Sequence, residues 1–231
     1  MNKTARPAVE QRLMHPFVPL LFIGLTATAV LAKSPAATAT SGQTKNVLVL
    51  GDSISAGYGL KRADAFPAQL SEMATKSGQR VRVINAGVTG DTTAGGLRRL
   101  KPLLDRRVDV LLIELGINDA FRSVPVEQIE TNLQKIIDLT RARYPDVHVV
   151  IAGMQLPGYS QGDYLTAFGS MYVELAQRNH AELVPFLLEG VIGNPAFNLP
   201  DMIHPNANGQ KILAAHIWPV LESALKKNKQ S

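Results

Sequence analysis

The sequence contains no cysteine, which excludes a disulfide framework, a thiol nucleophile and a lipid-bearing Cys, and leaves redox state silent about compartment. Aromatic residues make up only 6% of the chain and Trp218 is the single tryptophan, so the exposed rings on which polysaccharides usually dock are scarce. No His-Glu-x-x-His helix, Walker A loop or G-x-G-x-x-G turn occurs, and neither a metal nor a nucleotide cofactor is expected. A long basic run interleaved with aromatics is also missing. Of the net charge of +5, +3 lies before residue 40, where Lys3, Arg6, Arg12 and Lys33 outnumber Glu10. Nucleic acid is therefore not an expected partner.

What is present is a chain of 231 residues, 45% hydrophobic, enough to bury one full-sized core in a single domain. At the N-terminus, basic residues up to Arg12 precede an apolar stretch from Phe17 to Ala32, followed by the small, polar Lys33-Ser34-Pro35-Ala36-Ala37-Thr38-Ala39. That order reads as a secretory signal peptide and linker over residues 1–39, cleaved after Ala32 or Ala39. The alternative is an uncleaved anchor, which Pro19, Gly24 and the threonines weaken. A periplasmic or secreted protein without stable membrane insertion is expected, and N-terminal sequencing that found Met1 retained would overturn this.

One domain is expected over residues 46–228. Asn46 to Leu50 reads as a buried strand ending at Gly51. A helix follows with Asp64 as its cap, Phe66, Leu70 and Met73 on one face, and Gly78 as its stop. Strand and helix then alternate. Strands are predicted over Val81–Ile84, Val108–Leu115, His148–Ala152 and Leu183–Leu188. Helices are predicted over Leu97–Leu104, behind Pro125, over Tyr164–Asn179, and over Ile212–Leu225. Five strands alternating with helices imply an α/β three-layer sandwich, its mostly parallel sheet covered on both faces.

Active sites in such sheets form on the loops that leave the carboxyl ends of the strands. Polar clusters stand at those places: Gly51-Asp52-Ser53, Asn85 to Asp91, Gly116-Ile117-Asn118-Asp119 and Asp201-Met202-Ile203-His204. A serine hydroxyl attacks a carbonyl only when a base takes its proton and an acceptor fixes that base's tautomer. Of the five histidines only His204 sits in a loop at the correct end of the sheet, with Asp201 three residues before it. The backbone N–H of Ser53 at a helix N-terminus, the N–H of Gly90 and the side-chain amide of Asn118 could receive an oxyanion. Each residue also has an ordinary role open to it: Asp52, Ser53 and Asn118-Asp119 as helix caps, Gly90 as a turn residue.

The run from Val49 to Tyr58 resembles the first block of the GDSL, or SGNH, hydrolases. Gly90 in Gly87-Val88-Thr89-Gly90-Asp91 fits the second block, Gly116 to Asp119 the third, and Asp201 to Asn206 the fifth. The resemblance is greatest to the bacterial periplasmic thioesterase, arylesterase and lysophospholipase branch, extending through Glu114-Leu115-Gly116 and Gln155 to Tyr159. It implies Ser53 as nucleophile, Asp201 and His204 as the acid–base pair, and Ser53, Gly90 and Asn118 as oxyanion donors. It also implies a cofactor-free serine hydrolase of acyl esters or thioesters. Ile54 stands where the pattern has Leu, and Ile117 where Gly or Ala is usual, beside an oxyanion donor.

A second serine competes. Gly158-Tyr159-Ser160-Gln161-Gly162 matches the G-x-S-x-G elbow of α/β-hydrolases. Pro157 interrupts the strand that should precede that elbow, and the remaining chain is too short for the strand–helix units of that fold, so Ser53 is preferred. Candidate acyl-contacting residues are Phe121, Leu156 and Pro157, which suit an alkyl or aryl group. A carbohydrate O-deacetylase and a non-catalytic binding protein on the same fold are the alternatives. A monomer is expected.

Overall fold

The protein is described by a computed structural model over residues 43–156 and 163–227. The signal segment expected at residues 1–39, together with Pro157 and Ser160, lies outside the described residues.

Strand β1 (Lys45–Gly51) is buried over its last five residues, β3 (Val110–Glu114) throughout, and β4 (His148–Ala152) in all but its first. Strands covered on both faces have no solvent side to alternate with, which is why these segments read as continuous apolar runs. The two remaining strands, β2 (Val81–Gly87) and β5 (Glu182–Val184), form the edges, and all neighbours run parallel in the order β2-β1-β3-β4-β5.

Seven helices complete the described fold: α1 (Ser53–Ala56), α2 (Phe66–Lys76), α3 (Thr93–Leu103), α4 (Ile117–Phe121), α5 (Val126–Arg143), α6 (Asp163–Arg178) and α7 (Ala207–Lys227). Crossovers between parallel strands are right-handed. The step outward from β1 to β2 therefore puts α2 on one face, and the return steps put α3, α5 and α6 on the other. The last helix, α7, packs against α2, closing the expected three layers. Because the strand order reverses between β1 and β3, the loops leaving these two strands part and open a crevice at their carboxyl ends.

Several boundaries differ from the sequence expectation. Helix α3 starts at Thr93 rather than Leu97, since the Thr92 hydroxyl caps it by accepting from the Gly95 N–H at 3.1 Å. Asp64 does not cap α2; it lies in a 3-10 turn, and the Phe66 N–H donates instead to Gln210 Oε1 of α7 at 2.7 Å. Helix α7 begins at Ala207 because Asn206 Oδ1 accepts from the Asn208 and Gly209 N–H groups. Strand β5 stops at Val184, before Pro185, whose missing N–H cannot continue the ladder. The Leu187 N–H then bonds the Gly153 carbonyl at 3.0 Å. Strand β2 instead runs on to Gly87, carrying its polar end up to the turn that bears Ser53.

Candidate active site

The turn from β1 into α1 has little room around it. Gly51 lies opposite Gly87 on one side and Glu114 on the other, and a Cβ at Gly51 would collide with the Ser55 hydroxyl and the Glu114 carboxyl. Asp52 is the helix cap, its Oδ1 accepting from the Ile54 N–H at 3.0 Å. Ser53 is thereby relieved of capping. Its Oγ, in a residue 7% exposed, lies 3.0 Å from His204 Nε2.

His204 is carried by the loop between β5 and α7. Asp201 Oδ1 accepts from the backbone N–H groups of Ile203 at 3.0 Å and His204 at 2.9 Å, curling the chain so that Oδ2 meets His204 Nδ1 at 2.7 Å. Met202 takes a left-handed φ of 61° inside that turn. Burial raises the Asp201 pKa, but the two backbone N–H groups and the His204 ring outweigh it and bring the carboxyl down to about 2. The Tyr58 ring lies over the imidazole, centroids 4.3 Å apart and planes 34° from parallel.

The other two clusters close around the same turn. Gly116 has a φ of 126°, and a Cβ there would strike the Tyr172 hydroxyl, so only glycine lets the chain swing from β3 into α4. Asn118 in the first turn of α4 donates from Nδ2 to Asp52 Oδ2 at 2.9 Å. Gly90, at φ 75°, lies on the loop after β2, and Arg122 Nη2 donates to its carbonyl at 3.0 Å, tying that loop to the end of α4. Asp119 has a scaffold role, its carboxylate accepting from the Thr93 N–H at 2.8 Å and the Thr93 hydroxyl at 2.7 Å. Ile117, expected beside the oxyanion donor, packs into the core. Phe121 is exposed at the end of α4, whereas Leu156 is half-buried against the core.

Three residues have no role that the sequence assigns. Tyr58 is one. Arg99 is another, reaching the Asp91 carboxylate at 2.6 Å and the carbonyls of Ala86 at 2.6 Å and Gly51 at 3.0 Å, so it fastens the ends of β1 and β2 together. Glu114 is the third and is fully buried, its Oε2 accepting from the N–H groups of Asp52 at 3.2 Å and Ser55 at 3.1 Å and from the Ser55 hydroxyl at 2.6 Å. Its signal in the sequence is a carboxylate ending an otherwise apolar strand, Val110-Leu111-Leu112-Ile113-Glu114. Burial first, and then the neighbouring Asp52 charge, push the Glu114 pKa well above 4.5. Burial likewise raises Asp52 to about 6, against the hydrogen bonds it accepts.

The chain is similar in sequence and fold to known proteins. Residues 49–212 match the GDSL-like Lipase/Acylhydrolase family. Esterase TesA of Pseudomonas aeruginosa is 37% identical over 207 residues, spanning 89% of this chain and 98% of its own. Thioesterase 1/protease 1/lysophospholipase L1 of Escherichia coli K12 is 35% identical, spanning 73% of this chain and 79% of its own. A crystal structure of TesA superposes with a TM-score of 0.74 at 38% identity, covering 78% of this chain and 99% of that one. The chain belongs to the GDSL-like lipase/acylhydrolase family.

Proposed function

We propose that this chain hydrolyses acyl esters or thioesters through a covalent acyl-enzyme on Ser53. The observation that carries the reading is the unbroken run of hydrogen bonds from Ser53 Oγ through His204 to Asp201, in which Ser53 and His204 are 151 positions apart in sequence. His204 Nε2 takes the Ser53 proton as Oγ bonds to the substrate carbonyl carbon, and Asp201 Oδ2 keeps the other ring proton on Nδ1. The oxyanion is received by the N–H of Ser53, the N–H of Gly90 and the Asn118 amide. His204 then passes its proton to the leaving alcohol or thiol, and a water, activated by the same imidazole, releases the acid. We place this activity in the periplasm or outside the cell, the destination read from residues 1–39.

The acyl group meets an apolar approach. Tyr58 over the His204 ring, Met202 and Ile203 between Asp201 and His204, and Phe121 at the end of α4 are all large and exposed, which favours an alkyl or aryl acyl chain over an acetylated sugar. Trp218, by contrast, packs against the core rather than offering a sugar platform. The test is labelling by a fluorophosphonate probe, with hydrolysis of acyl-CoA, aryl ester and lysophospholipid measured alongside. Ser53→Ala is expected to abolish labelling and to lower kcat by about 10⁴-fold or more on the substrate used, while Ser160→Ala keeps both. A labelled, active Ser53→Ala protein would sink the assignment.

A further inference from the structure

Two buried carboxyl groups lie under the nucleophile turn, and the hydrolytic steps use neither. Asp52 and Glu114 are each 0% exposed and their side chains are in hydrogen-bonding contact. Two ionised carboxylates in such contact would repel, so one must hold a proton. Geometry says which. Both Asp52 oxygens are already acceptors, Oδ1 from the Ile54 N–H and Oδ2 from Asn118 Nδ2. On Glu114, Oε2 accepts from three donors, whereas Oε1 is buried without a hydrogen-bond partner. A proton on Oε1, directed at the neighbouring Asp52 carboxylate, would give that orphaned oxygen the partner it lacks.

We propose that Glu114 is a positioning residue for the oxyanion hole: its neutral carboxyl donates from Oε1 to the Asp52 carboxylate, which holds the Asn118 amide nitrogen by one N–H. The other Asn118 N–H is then left for the oxyanion. These linked hydrogen bonds fix the amide's orientation as well as its position. An Asp52 that had lost its charge and turned its O–H toward Asn118 would draw the amide oxygen to itself, leaving the amide without its fixed orientation toward the oxyanion. The raised pKa values of both carboxyls agree with one shared proton. Register supports it too, because Glu114 pairs across β1 with Gly51, the residue whose missing Cβ admits the carboxyl. The other titratable groups facing the pair are His204 from the loop before α7 and Tyr172 from α6, while Arg99 from α3 reaches the adjacent Gly51 carbonyl.

The inference rests on Asn118 being an oxyanion donor, and the experiments separate the two. Kinetically, Glu114→Ala is expected to lower kcat about 10²-fold with KM within about threefold, as when an interaction made only in the transition state is removed. Glu114→Gln, whose amide can donate to Asp52 and accept from Ser55, is expected to recover kcat to within about tenfold of the parent. Spectroscopically, infrared difference spectra of the folded parent against Glu114→Gln at neutral pH should show one protonated-carboxyl C=O band that the variant lacks. This needs no alanine variant to fold. Absence of that band, or a folded Glu114→Gln as impaired as a folded Glu114→Ala, overturns the proposal. An Asn118→Ala protein with unchanged kcat would instead remove the oxyanion reading beneath it, whatever the infrared result.

Discussion

At the scale of single residues, the division of labour inside Asp201 is the sharpest feature of the site. One oxygen folds the loop by accepting two backbone N–H groups, and the other orients the imidazole. An Asp201→Asn protein can keep the first function if its amide oxygen takes the backbone N–H groups. Its NH₂ would then face His204 Nδ1, forcing the ring proton onto Nε2, where it can no longer accept from Ser53. The expected result is a well-folded enzyme with kcat reduced by about 10⁴-fold, read by steady-state kinetics and circular dichroism. A loss smaller than tenfold would show that tautomer control lies elsewhere. Since the Asp201 carboxyl remains ionised down to about pH 2, the acid limb of the pH–rate profile should not report its titration. The residues legible in the sequence are those whose partners lie nearby in it, such as Asp201 and His204, or which sit in short polar blocks directly after a strand. Glu114 has no legible role because its partners, Asp52 and Ser55, are 62 and 59 positions away.

Among the elements, α1 matters most and is least able to stand alone. Four residues are too few to be stable as an isolated helix. Its position is imposed from outside by Asp52, by Glu114 and by Gln210 of α7. Gln210 is 1% exposed; Nε2 donates to the Ile54 carbonyl at 3.0 Å while Oε1 accepts from the Phe66 N–H that opens α2. Gln210→Leu would leave the buried Phe66 N–H unpaired, at about 1–3 kcal/mol, and the Ile54 carbonyl with only the Gly57 N–H at 3.3 Å. A lowered Tm is therefore expected, by several degrees in a domain this size, with kcat falling more than KM rises because α1 carries Ser53. An unchanged Tm in thermal unfolding would refute this account. The same hydrogen bond explains why the start of α2 departs from the sequence expectation. Local patterns identify a side chain able to cap, as at Asp64, but not a tertiary partner 144 residues away that takes the position. Short elements are hidden for a related reason: α1 and α4 have too few residues to display a helical period. The central strands are legible because burial on both faces writes itself as an unbroken apolar run.

For the molecule as a whole, the buried pair sets a pH dependence of folding that runs opposite to ordinary acid denaturation. The folded-state pKa of Glu114 lies well above its ordinary value of 4.5, and that of Asp52 rises from 3.8 to about 6. In both cases the native chain binds protons that the unfolded chain has released, so stability must fall as pH rises across that range. The contribution is complete below about 3.8, the lower ordinary value, and is lost for Asp52 as pH passes through about 6 and for Glu114 higher still. Asp201 works the other way, adding stability above 3.8 that disappears as pH falls through about 2, outside the same window and weakened by its exposure to solvent. Glu114→Gln removes one titrating group while preserving the shape and the donor. The prediction is therefore about a slope. Urea midpoints measured from about pH 4.5 to 8 should decline with pH less steeply in Glu114→Gln than in the parent, bringing the two proteins' relative stability in the variant's favour as pH rises. Parallel curves across the window would mean that Glu114 is ionised in the folded protein, and that the charge beneath the nucleophile turn is balanced by some other group.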